Sequence, residues 1–159
     1  EAALKPQLVH YYFASMDDLL VATFERLSEE GLARQADARS HRSPLRSMWA
    51  TLSDQRGTSL LVEFVALAAH RPALRAAITS QALRFRTMLV EVIEEAQRAR
   101  PGGSVTHLEP EALAVFITGA AQIMIMEHGL GFTVGHRAVR ASVERVLDEL
   151  EPSEPVSAE

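Results

Sequence analysis

An all-α protein is the fold class that the sequence predicts, and three observations predict it. Apolar residues recur at spacings of three and four along most of the chain, which is the period of one helix face. No strand-type alternation runs longer than a few residues. Pro44, Pro72 and Pro110 each stand at the start of such a periodic stretch. A proline fits there because the first helical N–H has no intrahelical partner to lose.

The elements follow in order. A short helix is expected over Lys5 to Tyr12, with Pro6 in its first turn. Ser15 suits an N-cap, and Asp17 and Asp18 place carboxylates against the positive end of the helix dipole. The helix they open should run to about Ala38, with Leu20, Thr23, Phe24, Leu27 and Gly31 facing inward. "SHRSP" at 40–44 is a break, after which Ser43 should cap and Pro44 should open a third helix. Its apolar positions are Leu45, Met48, Trp49 and Leu52. A turn is expected near Gly57, then a mostly buried helix in "SLLVEFVALAAH", ending near His70. Pro72 opens a long helix to about Arg100, whose stripe is Leu74, Ile78, Ala82, Phe85, Leu89, Val92 and Ala96. "PGG" at 101–103 stops it. Another helix should run from near Pro110 to about His128. The Gly-rich "GLGFTVGH" then leads to a last helix, about Arg137 to Leu150. The acidic, Pro-rich residues 152–159 are expected to be disordered.

Composition narrows the function. At 159 residues the chain suits one domain with a sizeable core. The absence of cysteine excludes a disulfide framework and a cysteine-ligated zinc. A net charge of −5 argues against coating nucleic acid through bulk charge, though it leaves room for a small basic reading head. The longest apolar run, Ala112 to Met126, is too short to span a bilayer and is expected to be a buried helix, so no membrane is expected as a partner. The chain opens without methionine and in mid-element, so upstream residues are expected.

Catalytic and metal chemistry find little support. The six histidines, at 10, 41, 70, 107, 128 and 136, form no i, i+4 pair. There is no Glu-x-x-His bundle motif, nucleophile elbow, phosphate loop or cysteine nucleophile. His128 and His136 flank the Gly-rich connection, but helix-end histidines are the plainer reading. No cofactor, no metal and no enzymatic activity are expected.

The informative stretch is "LKPQLVHYYFASMDDLL", Leu4 to Leu20. On a helix, Val9 and Phe13 share one face, flanked by Leu8 and Tyr12. Lys5, Gln7, His10 and Tyr11 turn away from it. Such groups reach base edges and phosphates, although a surface helix with a snorkelling tyrosine would look the same. The stretch resembles the end of the helix-turn-helix of TetR-type (tetracycline-repressor-like) transcriptional regulators. In that family a short recognition helix ends in an aromatic pair, a small-residue turn follows, and the next helix opens with Ser and acidic residues. Tyr12-Phe13, Ala14-Ser15 and Asp17-Asp18 fall in those places. The close match covers roughly Leu4 to Leu27; beyond it, helix order and lengths match. The sequence departs from the family in having no glycine before the recognition helix and in carrying Met16 where many members have lysine.

The resemblance implies residues 1–15 as the incomplete end of a DNA-binding domain and 16–151 as a helical ligand-binding and dimerisation domain. It implies Lys5, Gln7, Leu8, His10, Tyr11 and Tyr12 as DNA contacts, with double-stranded operator DNA as partner and the cytoplasm as location. In the body, the helix over 112–126 is apolar on nearly every side and needs neighbours on both faces. It is either central in a monomer or one wall of a homodimer. Gly119, Ala120, Ile123, Val139, Val143, Val146 and Leu147 are the dimer candidates. Met48, Trp49, Leu52, Phe64, Phe85, Met88, Leu89, Phe116, Gln122 and Met126 are either ordinary core or the lining of a pocket for an apolar small-molecule effector. The function so expected is a ligand-responsive repressor that binds a palindromic operator as a dimer. The alternatives are a helical small-molecule-binding module that never touches DNA, and a helical enzyme with an unrecognised site.

Overall fold

The structure, a computed structural model, describes residues 12–100, 102 and 107–152, with 55–60 described by backbone alone. Six helices and no strand are present among the described residues: α1 (Met16–Arg39), α2 (Pro44–Leu52), α3 (Gln55–Ala68), α4 (Pro72–Ala99), α5 (Pro110–Gly129) and α6 (His136–Leu150). The all-α expectation holds, as do the helix starts at Pro44, Pro72 and Pro110.

The local chemistry explains most of the boundaries. Ser15 has extended backbone, and its Oγ accepts from the Asp18 N–H at 3.1 Å while donating to Asp18 Oδ2 at 2.8 Å. One orphan donor of the first turn is thereby satisfied. The expected turn near Gly57 lies earlier, at Ser53–Asp54, and Gly57 falls inside α3. At the far end, Gly131 and Gly135 both have φ +88°. Side chains with a Cβ rarely adopt that conformation, so these glycines permit the tight α5–α6 connection.

Ser43 does not cap α2; its side chain makes no capping hydrogen bond. The cap comes from the other end of the fold. Glu151, just past α6, accepts from the Leu45 N–H at 2.8 Å and the Arg46 N–H at 3.1 Å. Arg46 reaches back to Glu144 at 3.0 Å, to Asp148, and to the Glu151 carbonyl at 3.2 Å. A carboxylate at a helix N-terminus meets both bare N–H groups and the positive dipole end. Glu151→Ala should therefore lower stability by about 1–2 kcal/mol. A lower urea midpoint at unchanged m-value would show it; an unchanged midpoint would remove Glu151 as the cap.

α4 is the central element and touches each of the other five helices. The core has two parts. The larger holds Ala38, Leu45, Met48, Trp49, Leu89, Val92, Ile93, Leu113, Ala114, Ile117, Ala121, Met124, Val143, Leu147 and Leu150, drawn from every helix except α3. The smaller holds Phe24, Phe64, Ala68 and Leu74, where α1, α3 and α4 meet near the start of α1. There Phe24 and Phe64 meet edge to face, 5.4 Å between centroids.

α1 lies alongside α4 and is tied to it along its length. Asp17 pairs with Arg71, the Ser28 carbonyl accepts from Gln81 Nε2 at 3.2 Å, and Glu29 pairs with Arg84 at 2.6 Å. Arg39 pairs with Glu91 at 2.6 Å and Glu95 at 3.3 Å. The Glu91 hydrogen bond holds the Arg39 guanidinium above its ordinary pKa. The buried stripe of α1 is Phe24, Leu32, Gln35 and Ala38. Thr23 and Leu27, expected inside, are exposed, and so is Ala82 on α4.

Candidate effector and dimer surfaces

Of the expected DNA contacts, Lys5, Gln7, Leu8, His10 and Tyr11 lie outside the described residues. Tyr12 is described, helical in backbone and 73% exposed. Phe13 behind it is half-buried, and the chain bends at Ala14-Ser15 before α1 begins. The expected recognition helix, apart from Tyr12, lies outside the described residues.

The ten expected pocket residues do not come together. Met48, Trp49 and Leu89 are buried in the larger core, with Leu52, Phe85 and Met88 half-buried against it. Phe64 belongs to the smaller core. Phe116, Gln122 and Met126 point the other way. Leu113, Ala114, Ile117, Thr118, Ala121, Met124 and Ile125 occupy the inner face of α5, so the 100° helical step leaves those three outside. A shallow depression of about 540 Å³ lies elsewhere, on α4, lined by Pro72, Arg75, Ala76, Thr79, Ser80 and Leu83. It includes none of the ten.

The outer face of α5 is therefore apolar and open. Val115, Phe116 (66% exposed), Ile123 and Met126 are exposed, with Gly119 and Gln122 among them. A Cβ on Gly119 would meet nothing within 4 Å. The α5–α6 connection carries further exposed apolar residues, Leu130, Phe132 and Val134. Of the expected dimer residues, Gly119 and Ile123 are exposed on this face and Ala120 is half-buried at its edge. Val139 and Val146 are half-buried on α6. Val143 and Leu147 are core residues of their own subunit, and Leu147 is 0% exposed. Of the α6 candidates, only Val139 and Val146 therefore keep accessible surface that a partner could cover.

Two polar features inside the body went unseen in the sequence. Thr118, buried on α5, donates to the Ala114 carbonyl at 2.7 Å and accepts from Arg86 at 3.2 Å. Gln35, buried on α1, has an Oε1 with no hydrogen-bond partner among the described residues. A buried amide left this way costs about 1–3 kcal/mol. A glutamine on a helix does not reveal such a state from sequence, because it depends on which face packs inward.

His136 Nε2 lies 2.7 Å from Glu127 Oε2, closing the loop between α5 and α6, while His128 is exposed. No three His, Asp or Glu side chains among the described residues lie close enough to hold a metal ion. α5 is long and apolar enough to cross a membrane on composition alone. Its buried inner stripe makes it a core helix of this body, and such a helix is weak evidence for a membrane protein.

The described body is thus all-helical, with an open apolar face on α5 and an α1 tied to α4 along its length. Residues 42–150 match the family profile described as "BetI-type transcriptional repressor, C-terminal". The chain belongs to that family, a branch of the TetR-type transcriptional regulators. No curated protein and no solved structure gives a significant match. Membership makes the chain a transcriptional regulator and points away from enzymatic activity. In general terms it implies DNA and a second copy as partners.

Proposed function

We propose that the protein is a repressor that binds a palindromic operator as a homodimer and is released by an apolar small molecule. The observation that carries the reading is the family match over 42–150. The open stripe on α5 supports the dimer, since monomers seldom leave such a patch uncovered. Residues 1–15 serve as the end of the reading head, with Lys5, Gln7, Leu8, His10, Tyr11 and Tyr12 on the DNA side. Residues 16–151 are the body.

α1 is the lever. It begins directly after the reading head and is held to α4 by ion pairs near both of its ends. A ligand that favours a different α1–α4 arrangement shifts the population toward dimers whose recognition helices no longer match successive major grooves.

The test is fluorescence anisotropy of the full-length protein on DNA from upstream of its own coding region. It is run with excess non-specific competitor at physiological salt. Saturable binding at two protomers per site is expected, and once an effector is found, effector and DNA should weaken each other's binding by the same factor. Binding no stronger than to the competitor would favour a small-molecule-binding module that does not read DNA.

A further inference from the structure

We propose that α5 meets its own copy as an antiparallel interlock, in which Phe116 of each subunit fills the space over Gly119 of the other. This deepens the dimer reading above and rests on it. The interlock sets the one register in which the two subunits are held.

Gly119 is the first observation. Glycine inside a helix is less stable than alanine, because it gives up more chain entropy. Within the subunit nothing requires a glycine at 119. Its φ is not positive, and a Cβ there would meet no atom within 4 Å among the described residues. Phe116, one turn earlier on the same outer face, is the second observation. Its ring is two-thirds exposed and belongs to neither core cluster. A gap and a ring side by side, neither explained by the subunit, are explained together by a second copy.

Spacing gives the geometry. Ala112, Phe116, Gly119, Ile123 and Met126 follow one another at four, three, four and three residues, the period of a coiled-coil seam. Helices on such a seam cross at about 20°. Side-chain size then chooses the direction. From 112 to 123 the seam reads small, large, small, large. In a parallel pair about a two-fold axis each position faces itself, so two rings crowd at Phe116 and a void stands at Gly119. In an antiparallel pair whose axis passes midway between 116 and 119, Phe116 faces Gly119 of the partner subunit. Ile123 then faces Ala112 of the partner subunit. Every large side chain meets a small one, and the two-fold axis makes each contact twice. Such alternation is what close packing needs.

Orientation is tested first, on full-length protein. The chain contains no cysteine, so Ala112→Cys and Ile123→Cys each introduce a lone thiol. Oxidised separately, neither variant should form a covalent dimer. Like positions stand about 16 Å apart along the antiparallel seam, too far for a disulfide. Mixed and left to exchange subunits, the two should cross-link to each other. The interlock is tested by sedimentation. Gly119→Leu sets large against large on both sides of the axis and should raise the dimer Kd about 30-fold or more, with an unchanged circular dichroism spectrum. Phe116→Ala leaves two voids and should weaken the dimer comparably. The double variant again sets large against small, so its Kd should lie within about 10-fold of wild type. Self-linking of either cysteine variant, no link in their mixture, or a double variant no tighter than Gly119→Leu overturns the proposal. A wild type that sediments as a monomer removes the dimer reading with it. A wild-type dimer indifferent to both single substitutions overturns the interlock alone and leaves dimerisation to another face.

Discussion

Phe116→Arg should turn the protein into a monomer that stays folded. Phe116 is two-thirds exposed on the outer face of α5 and belongs to neither core cluster. A charge at that position therefore costs the isolated subunit almost nothing. In a dimer sealed through this face the guanidinium would be buried against apolar Val115, Ile123 and Met126 of a second copy. Unpaired buried charge at the centre of an interface costs about 3 kcal/mol or more, a weakening of roughly 100-fold or greater. Sedimentation of the variant should give the mass of one subunit where the wild type gives two, with an unchanged circular dichroism spectrum. Operator affinity should collapse with it, because one head reads only one half-site. A variant that sediments as a dimer would place the interface elsewhere.

Most helix boundaries are legible because they rest on local chemistry; the start of α3 is the exception, lying before Gly57 rather than after it. Pro44, Pro72 and Pro110 each begin a helix, and Ser15 with Asp18 caps α1. The cap on α2 was illegible because its partner stands 106 positions away; only the assembled fold brings Glu151 to Leu45. Faces were harder still. In a helix as uniformly apolar as α5, periodicity does not distinguish the inner face from the outer, so Phe116 and Met126 were assigned to a pocket that they turn away from. On α1, the polar Gln35 occupies a buried position that a hydrophobic pattern passes over, while apolar Leu27 is exposed. The reading head itself was reached through resemblance, and most of it lies outside the described residues.

Leu147→Ala should do the opposite of Phe116→Arg. The apolar spacing of α6 puts Val143 and Leu147 with the dimer candidates, but both are buried within the subunit, and Leu147 has no exposed surface. Truncating it leaves a cavity beside α6 in the core it shares with Leu89, Ile93, Leu113 and Ile117. Substitutions of this kind cost about 2–5 kcal/mol, from lost transfer energy and lost contacts together. The loss should appear as a lower urea midpoint, while the dimer dissociation constant measured under native conditions stays within a factor of a few. The double variant with Phe116→Arg makes the distinction sharp. If Leu147 supports only its own subunit, the midpoint of the monomeric Phe116→Arg protein should fall by a comparable free energy when Leu147→Ala is added, because Phe116 lies outside the core cluster that holds Leu147. If Leu147 instead acted across the interface, the second substitution would change little in a protein that is already monomeric, and α6 would have to be reassigned to the seam between subunits.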